Sequence, residues 1–198
     1  HIRGVGGGLT PRTMIPSCAV DIKKKLEDKA PMAGTYPAPL IAPPMQVIED
    51  WIDYNGHMNM AFYNVVFDKS VDALFLELGI GEDYVTTEKA SVFTAEIHVT
   101  YAQELALGDP IRVTCQLLDY DAKRIHLFME MYHAEKGYLA ATMEQIGIHV
   151  SMETRRSAPF PDRLMTELEA LRTSHAALPV PPQVGRVIGI PRKAHATA

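Results

Sequence analysis

The sequence predicts an α+β fold in which an antiparallel sheet packs around one long helix, and two stretches carry that expectation. Residues 58–78 form a mostly apolar run. Asn64, Asp68 and Asp72 recur in it every four positions as a narrow polar stripe, while Phe62, Val65, Val66, Phe67, Val71, Leu74, Phe75 and Leu78 fill the other faces. A helix apolar on most faces has to be enclosed, and Gly79 is a natural residue to end it. Four strand candidates then follow, at 91–103, 111–120, 124–133 and 138–152. In the first, Ala95, Ile97, Val99 and Tyr101 alternate with Thr94, Glu96, His98 and Thr100, the pattern of a strand with one buried face. Gly108-Asp109-Pro110, Asp121-Ala122-Lys123 and Glu135-Lys136-Gly137 make short connections, which join antiparallel neighbours.

The remaining segments are placed around this core. Residues 1–13 begin without Met and read as an expression-tag remnant, with Met14 as a native start. Residues 14–44 read as a Pro-rich arm, with one short helix over 20–29 and prolines at 31, 37, 39, 43 and 44. Residues 45–50 are expected as a first strand leading into the loop at Asp53. The main domain is expected over 45–154, and residues 155–198 as a C-terminal segment. In that segment 162–177 form an amphipathic helix with Leu164, Leu168 and Leu171 on one face, and the Pro/Gly-rich tail after it is extended.

Composition excludes several classes of function. At 198 residues and 47% hydrophobic content the chain can bury a full core in one domain. A formal charge of −5 with no basic segment argues against nucleic-acid binding. Cys18 and Cys115 are too few for a disulfide scaffold, and no CxxC pair is present. His98, His126, His133 and His149 are scattered along the strands without ligand spacing, so no metal is expected. No apolar run approaches the ~18–20 residues that span a bilayer, and no signal peptide precedes the fold. A cytoplasmic protein away from membranes is expected.

The chemistry concentrates in Trp51-Ile-Asp53-Tyr-Asn55-Gly56-His57-Met-Asn59-Met60-Ala-Phe-Tyr63. A loop here runs into a helix N-terminus, where unpaired N–H groups and the positive end of the dipole can polarise a carbonyl. Asp53 just ahead of it can serve as nucleophile or base; Asp is also a common helix cap. Asn55 can orient water or the Asp53 carboxylate. His57 is a second base or a loop anchor. Backbone N–H groups from Gly56 to Met60 can receive an oxyanion, and Gly56 suits a close backbone approach. Glu144, on one face of a strand with Ala140, Thr142, Ile146 and Ile148, needs a partner or a purpose. Trp51, the only tryptophan, is either ordinary core or an aromatic wall that suits an aryl or quaternary ammonium group.

The pattern Asp53-x-x-Gly56-His57-x-Asn59-x-x-x-Tyr63, ahead of a Phe-containing helix, resembles the signature of the hotdog-fold acyl thioesterases. It is similar to the 4-hydroxybenzoyl-CoA thioesterase group and to the plant acyl-carrier-protein thioesterases. The plant enzymes carry Asp-x-Asn-x-His-x-Asn, matched by Asp53, Asn55, His57 and Asn59. The resemblance spans about residues 45–152. It implies a curved sheet around the long helix, a homodimer or dimer of dimers, and hydrolysis of a small acyl-CoA with no cofactor beyond the substrate. It also implies Asp53 as the catalytic carboxylate, with Asn55 and His57 beside it in the motif; Glu144, from its place on the strand, is a further candidate to assist the reaction or to anchor the Asp53 loop. Gly56 and Met60 would supply backbone donors; Trp51, Asn59 and Tyr63 are the candidates to line the substrate, with a structural role the alternative for Asn59 and for Tyr63, one helical turn beyond the loop. The tail Gln183-Val-Gly-Arg-Val-Ile-Gly-Ile-Pro resembles those of carnitine-linked thioesterases, which implies betainyl-CoA as substrate. Arg124, Arg155 and Arg156 are candidates for the nucleotide phosphates, and Asp68 for a subunit contact. Two other readings are an enoyl-CoA hydratase, whose Asp-x-Asn-Pro-x-His spacing this chain lacks, and a non-catalytic acyl-CoA sensor. The sensor would need a DNA-binding segment that 14–44 are too short and Pro-rich to hold.

Overall fold

A computed structural model of the chain describes residues 35–190. The tag-like segment, the short helix at 20–29 and most of the Pro-rich arm lie outside these described residues. The elements in order are β1 (Leu40–Ile41), β2 (Met45–Gln46), a 3-10 turn (Glu49–Trp51), α1 (Met60–Glu77), α2 (Glu82–Thr87), β3 (Ala90–Tyr101), β4 (Pro110–Tyr120), β5 (Arg124–His133), β6 (Leu139–Ser151), β7 (Arg156–Ser157) and α3 (Asp162–His175).

The long helix forms where expected. Asn59 caps it, accepting the Ala61 N–H on its side chain at 3.0 Å. At its far end Gly79 turns to φ +72° while Ile80 N–H reaches back to Phe75 O at 2.7 Å, satisfying a terminal carbonyl. Enclosure on most faces does not hold. Within this chain α1 buries a single stripe, Tyr63, Val66, Phe67, Ser70, Val71, Leu74 and Phe75, at the 3–4 spacing of one helix face. Val65, Asp68, Lys69, Asp72 and Leu76 stay exposed. The sheet lies on one side of the helix and leaves the other open.

All strands pair antiparallel, in the spatial order β1–β4–β5–β6–β3, with β2 also on β4 and β7 on β6. The meander β4–β5–β6 is as expected. The four-strand version is not: β3 sits beyond β6 at the free edge, and residues 102–109 are a crossing that returns the chain to β4 rather than a tight turn. The expected strand at 45–50 shrinks to two residues, because the chain turns at Glu49 to aim the following loop. In compensation β1 pairs with β4 through Leu40↔Cys115, so the arm from Leu40 onward already belongs to the sheet.

Alternation divides the sheet into two faces. Ile111, Val113, Cys115, Leu117, Ile125, Leu127, Met129, Met131, Ala141 and Met143 point inward, into one buried cluster with α1 and with Leu164, Leu168 and Leu171 of α3. The expected C-terminal helix is thus part of the same core. Its last residue, His175, is buried: Nδ1 accepts the Leu117 N–H at 2.9 Å and Nε2 donates to Pro37 O at 3.0 Å. That ties the helix to β4 where the β4–β5 register shifts between Leu117 and Asp119. Strand β3 departs from simple alternation, since its register also shifts between Thr94 and Glu96 and leaves Ala95 without a pair. Ile97 and Tyr101 keep the inward parity yet remain half exposed, because nothing among the described residues covers the edge strand. The short helix α2 was not legible in advance. Its Tyr84 hydroxyl lies 2.7 Å from Nε2 of buried His149, whose Nδ1 lies 2.9 Å from Ala158 O.

Candidate active site

The crossing between β3 and β4 and the turn before α1 build the site together. Ile52 and Met58 form an antiparallel bridge, and Asp53 N–H donates to His57 O at 3.1 Å across it. Gly56 N–H returns to Asp53 O at 3.0 Å, and Gly56 takes φ +83°. Nothing lies within 4 Å of a Cβ placed there, so the glycine answers a backbone requirement, not a crowded one. Met58 N–H then donates to Leu105 O at 2.8 Å, and Leu105 N–H to the Tyr63 hydroxyl at 3.1 Å, which fastens turn, crossing and helix into one unit.

Within that unit the Asp53 carboxylate has two donors, Asn55 N–H on Oδ1 at 2.8 Å and Asn59 Nδ2 on Oδ2 at 3.1 Å. The Asn55 N–H is the larger influence holding its pKa below the ordinary 3.8; partial desolvation opposes it, and Asn59 and His57 add to the lowering. Asp53 is therefore a carboxylate at neutral pH, the form in which it could act as base or nucleophile. It is not the helix cap, because Asn59 occupies that position. Asn59 does two jobs with its two ends, capping through Oδ1 and orienting Asp53 through Nδ2. Its expected place against substrate gives way to this internal one.

His57 is half exposed and loosely held, with Nδ1 3.4 Å from Met58 O and Nε2 3.9 Å from the Glu104 carboxylate. The Met60 N–H, at the first position of α1, finds no partner among the described residues and sits where the helix dipole is positive. Asn55 contributes its backbone N–H and is otherwise exposed.

Three expected site residues belong elsewhere. Trp51 is core: its ring stacks on Phe62 at 5.9 Å, and Lys69 Nζ lies 6.0 Å from the ring centroid, so it forms no wall of an open cleft. Tyr63 is buried, holding Leu105 through its hydroxyl and meeting Tyr101 edge-on at 5.3 Å. Glu144 is on the outer face of the sheet, away from α1. There Oε1 pairs with His126 Nε2 at 2.8 Å and Oε2 accepts the Gly185 N–H at 2.7 Å. Strand parity gave its row but not which side of the sheet carries the helix. Arg124 is held by Asp121 at the β4–β5 turn, and the Arg155 guanidinium lies 5.7 Å from the Phe93 ring. Both stand at the end of the sheet remote from Asp53, roughly 30 Å along β4.

Two residues at the site were missed. Glu104 lies on the crossing beside His57, and the Tyr101 hydroxyl donates to Met60 O at 3.3 Å. Asn64, one turn along α1, donates to the same oxygen at 3.4 Å and keeps its buried Oδ1 without a partner among the described residues. No motif spacing marks Glu104; Tyr101 was visible only as one of a strand's apolar positions. Among the described residues no group of three or more His, Cys, Asp or Glu could hold a metal, and no helix is long and apolar enough to cross a membrane.

Comparison with known proteins identifies the family. The profile of the thioesterase-like superfamily matches residues 47–168. The betainyl-CoA thioesterase of Pseudomonas aeruginosa is 41% identical over 145 residues, 73% of this chain and 91% of that protein. A Rhizobium meliloti L-carnitine dehydrogenase/betainyl-CoA thioesterase is 37% identical over 139 residues, 70% of this chain but 28% of the relative. Among solved structures, a hypothetical protein of Staphylococcus aureus in complex with CoA has a TM-score of 0.73 at 32% identity, covering 83% of this chain and all of that one. A 1,4-dihydroxy-2-naphthoyl-CoA thioesterase from Synechocystis shares the fold at TM-score 0.57 and 15% identity, over 70% of this chain and 97% of that one. The chain belongs to the thioesterase-like superfamily, as a thioester hydrolase of the hotdog fold.

Proposed function

We propose that this chain hydrolyses betainyl-CoA to betaine and CoA, with Asp53 as the catalytic carboxylate. The observation that carries the chemistry is an ionised, doubly hydrogen-bonded carboxylate poised before a helix whose first N–H has no partner among the described residues. The thioester carbonyl oxygen would lie at the Met60 N–H, where negative charge grows as the carbon becomes tetrahedral. Asp53 either attacks that carbon, forming a mixed anhydride that water then opens, or takes a proton from an attacking water. In both routes the C–S bond breaks and the CoA sulfur leaves as thiolate to be protonated. Asn59 keeps Asp53 aimed, His57 stands within reach as a proton carrier, and no cofactor enters.

The choice of betaine is supported by the relatives, of which one is named a betainyl-CoA thioesterase and others carry that activity beside a dehydrogenase. The trimethylammonium head would lie against Tyr101 and the Glu104 carboxylate, beside the loop; cation–π and ionic attraction then favour it over a neutral isostere. Two other tyrosines divide. Tyr54 is 97% exposed on the loop and available to the head. Tyr120, whose hydroxyl binds Glu169, is at the far end of β4 and is not.

The working form in this reading is a homodimer, in the cytoplasm, joined along the free edge of β3. Phe93, Ile97 and Tyr101 are 39%, 46% and 46% exposed there, an uncovered apolar edge of a kind normally paired. CoA would occupy the groove between the subunits.

The test is thiol release from a panel containing betainyl-CoA and isovaleryl-CoA, the latter similar in size, one methyl smaller, and uncharged. Betainyl-CoA is expected to be cleaved far faster, and Glu104→Gln to narrow the gap. Equal rates would remove the betaine assignment and keep the thioesterase.

A further inference from the structure

We propose that the C-terminal tail is an intersubunit strap, crossing the outer face of its own sheet and seating Val187, Ile188 and Ile190 on the outer face of a second copy of this chain. The inference rests on the β3-edge dimer proposed above. It adds a contact that the edge pairing does not require.

The path of the tail is recorded strand by strand. After α3 ends beside β4, residues 178–182 cover the outer face over Thr114 and Gln116 of β4 and Phe128 and Glu130 of β5, leaving a cavity of about 270 Å³ between. Phe128 points away from the helix side and is buried all the same. Gly185 then donates its N–H to Glu144 of β6 at 2.7 Å, and His126 fixes the other oxygen of that carboxylate at 2.8 Å. The sheet order is β4–β5–β6–β3, so the tail has moved steadily toward the free edge. Here Glu144 finds the purpose a half-buried carboxylate needs: it is the last clamp before the edge.

Beyond the clamp the tail leaves its own body. Val187, Ile188 and Ile190 are 85%, 86% and 84% exposed. Had the chain doubled back after the turn at 183–186, the sheet would cover these side chains. From Gly185 to Ile190 an extended chain reaches up to ~17 Å, whereas the edge lies one strand spacing away, about 4.8 Å. The excess spans about two strands on the far side of the edge. His98 of β3 pairs with Glu144 and so marks the level at which the tail exits. An antiparallel pairing of two β3 strands about their midpoint sets His98 beside the partner's Phe93. On this outer face Phe93, with the Arg155 guanidinium 5.7 Å from its ring, pairs with Ile148, and Ile146 follows on the same side of β6 beside Glu96, which makes an apolar strip with a charged border for three apolar side chains to cover.

The experiment has two arms on the full chain. In the first, Val187→Asp, Ile188→Asp and Ile190→Asp are combined and dimer affinity is compared with the parent by sedimentation. The fold should persist by circular dichroism, since these side chains are 84–86% exposed in their own chain, and the dimer dissociation constant should rise about 100-fold, the scale of losing several apolar contacts. In the second, a photo-cross-linking amino acid replaces Ile188 in a mixture of ¹⁴N- and ¹⁵N-labelled protein. Mixed-isotope cross-links to the peptides holding Phe93 or Ile146–Ile148 are expected. A parent that sediments as a monomer overturns the dimer reading and the strap with it. A dimeric parent whose triple variant is equally tight, or cross-links confined to one isotope, overturns the strap alone.

Discussion

At the scale of single residues, the site depends on how Asp53 and Asn59 share work. Asp53→Asn keeps the shape and can still accept the Asn55 N–H, but it removes the charge. If the carboxylate is nucleophile or base, the rate should fall by at least ~10²–10⁴, with a melting temperature close to the parent's, because the cap is Asn59. A fully active Asp53→Asn enzyme would move the chemistry to His57. Asn59→Ala tests the complementary claim. It should cost roughly 1 kcal/mol of stability through the lost cap, and it should also slow turnover by freeing Asp53, with the acid limb of the pH–rate profile moving up. The sign follows from removing a donor that favours the ionised form. A stability loss with an unmoved pH profile would leave Asn59 a cap and nothing more. These residues were legible because they lie within one short stretch, where spacing fixes geometry. Glu104 and Tyr101 were not, since they reach the site only through a crossing whose route depends on which strand β3 joins.

At the scale of elements, helix and strand positions followed periodicity, but face assignment needed the packing. Periodicity put Glu144 in its row and could not say that α1 covers the opposite side; it likewise made α1 look enclosed, because the apolar residues of its open face resemble core. Gly147 shows what the packing adds. A Cβ there would lie 2.9 Å from Val92 Cγ1 and 3.0 Å from Ile125 Cγ1, on the inward face next to the β3 irregularity. Gly147→Ala should therefore destabilise by about 1–3 kcal/mol despite the gain in strand propensity, read as a lowered denaturation midpoint. A neutral result would mean that β3 can shift at its bulge. His175 makes a pH prediction at the same scale. Burial, set against the Pro37 carbonyl, holds its pKa below the ordinary 6.5, and the neutral ring is the form that can accept the Leu117 N–H. The unfolded chain then binds the extra proton as pH falls through 6.5. The stability contribution is complete above that value and is lost below it. The parent's melting temperature should drop between pH 7 and 5, and His175→Gln should flatten that drop.

At the scale of the whole molecule, what the fold leaves uncovered is more informative than what it buries. The open face of α1, the free β3 edge and the Met60 end of the site adjoin one another, since Tyr101 of β3 bonds to Met60 O. The described residues thus offer one wall of a groove, a carboxylate and an N–H without a partner among them, and the dimer proposed above would supply the other. Burying roughly 800 Å² on each partner is the usual requirement of a stable pair, and the twelve-residue strand with the adjoining helix face is the surface left to supply it. The parent should therefore sediment as a dimer at micromolar concentration. Ile97→Lys places a charge in the middle of the edge strand while its own chain packs little against that side chain. The variant should keep its secondary structure, become monomeric, and lose most of its thioesterase activity, because the groove would have one wall. Activity that survives in a proven monomer would show that one chain holds a complete site, and the missing wall would then have to be sought within the same chain.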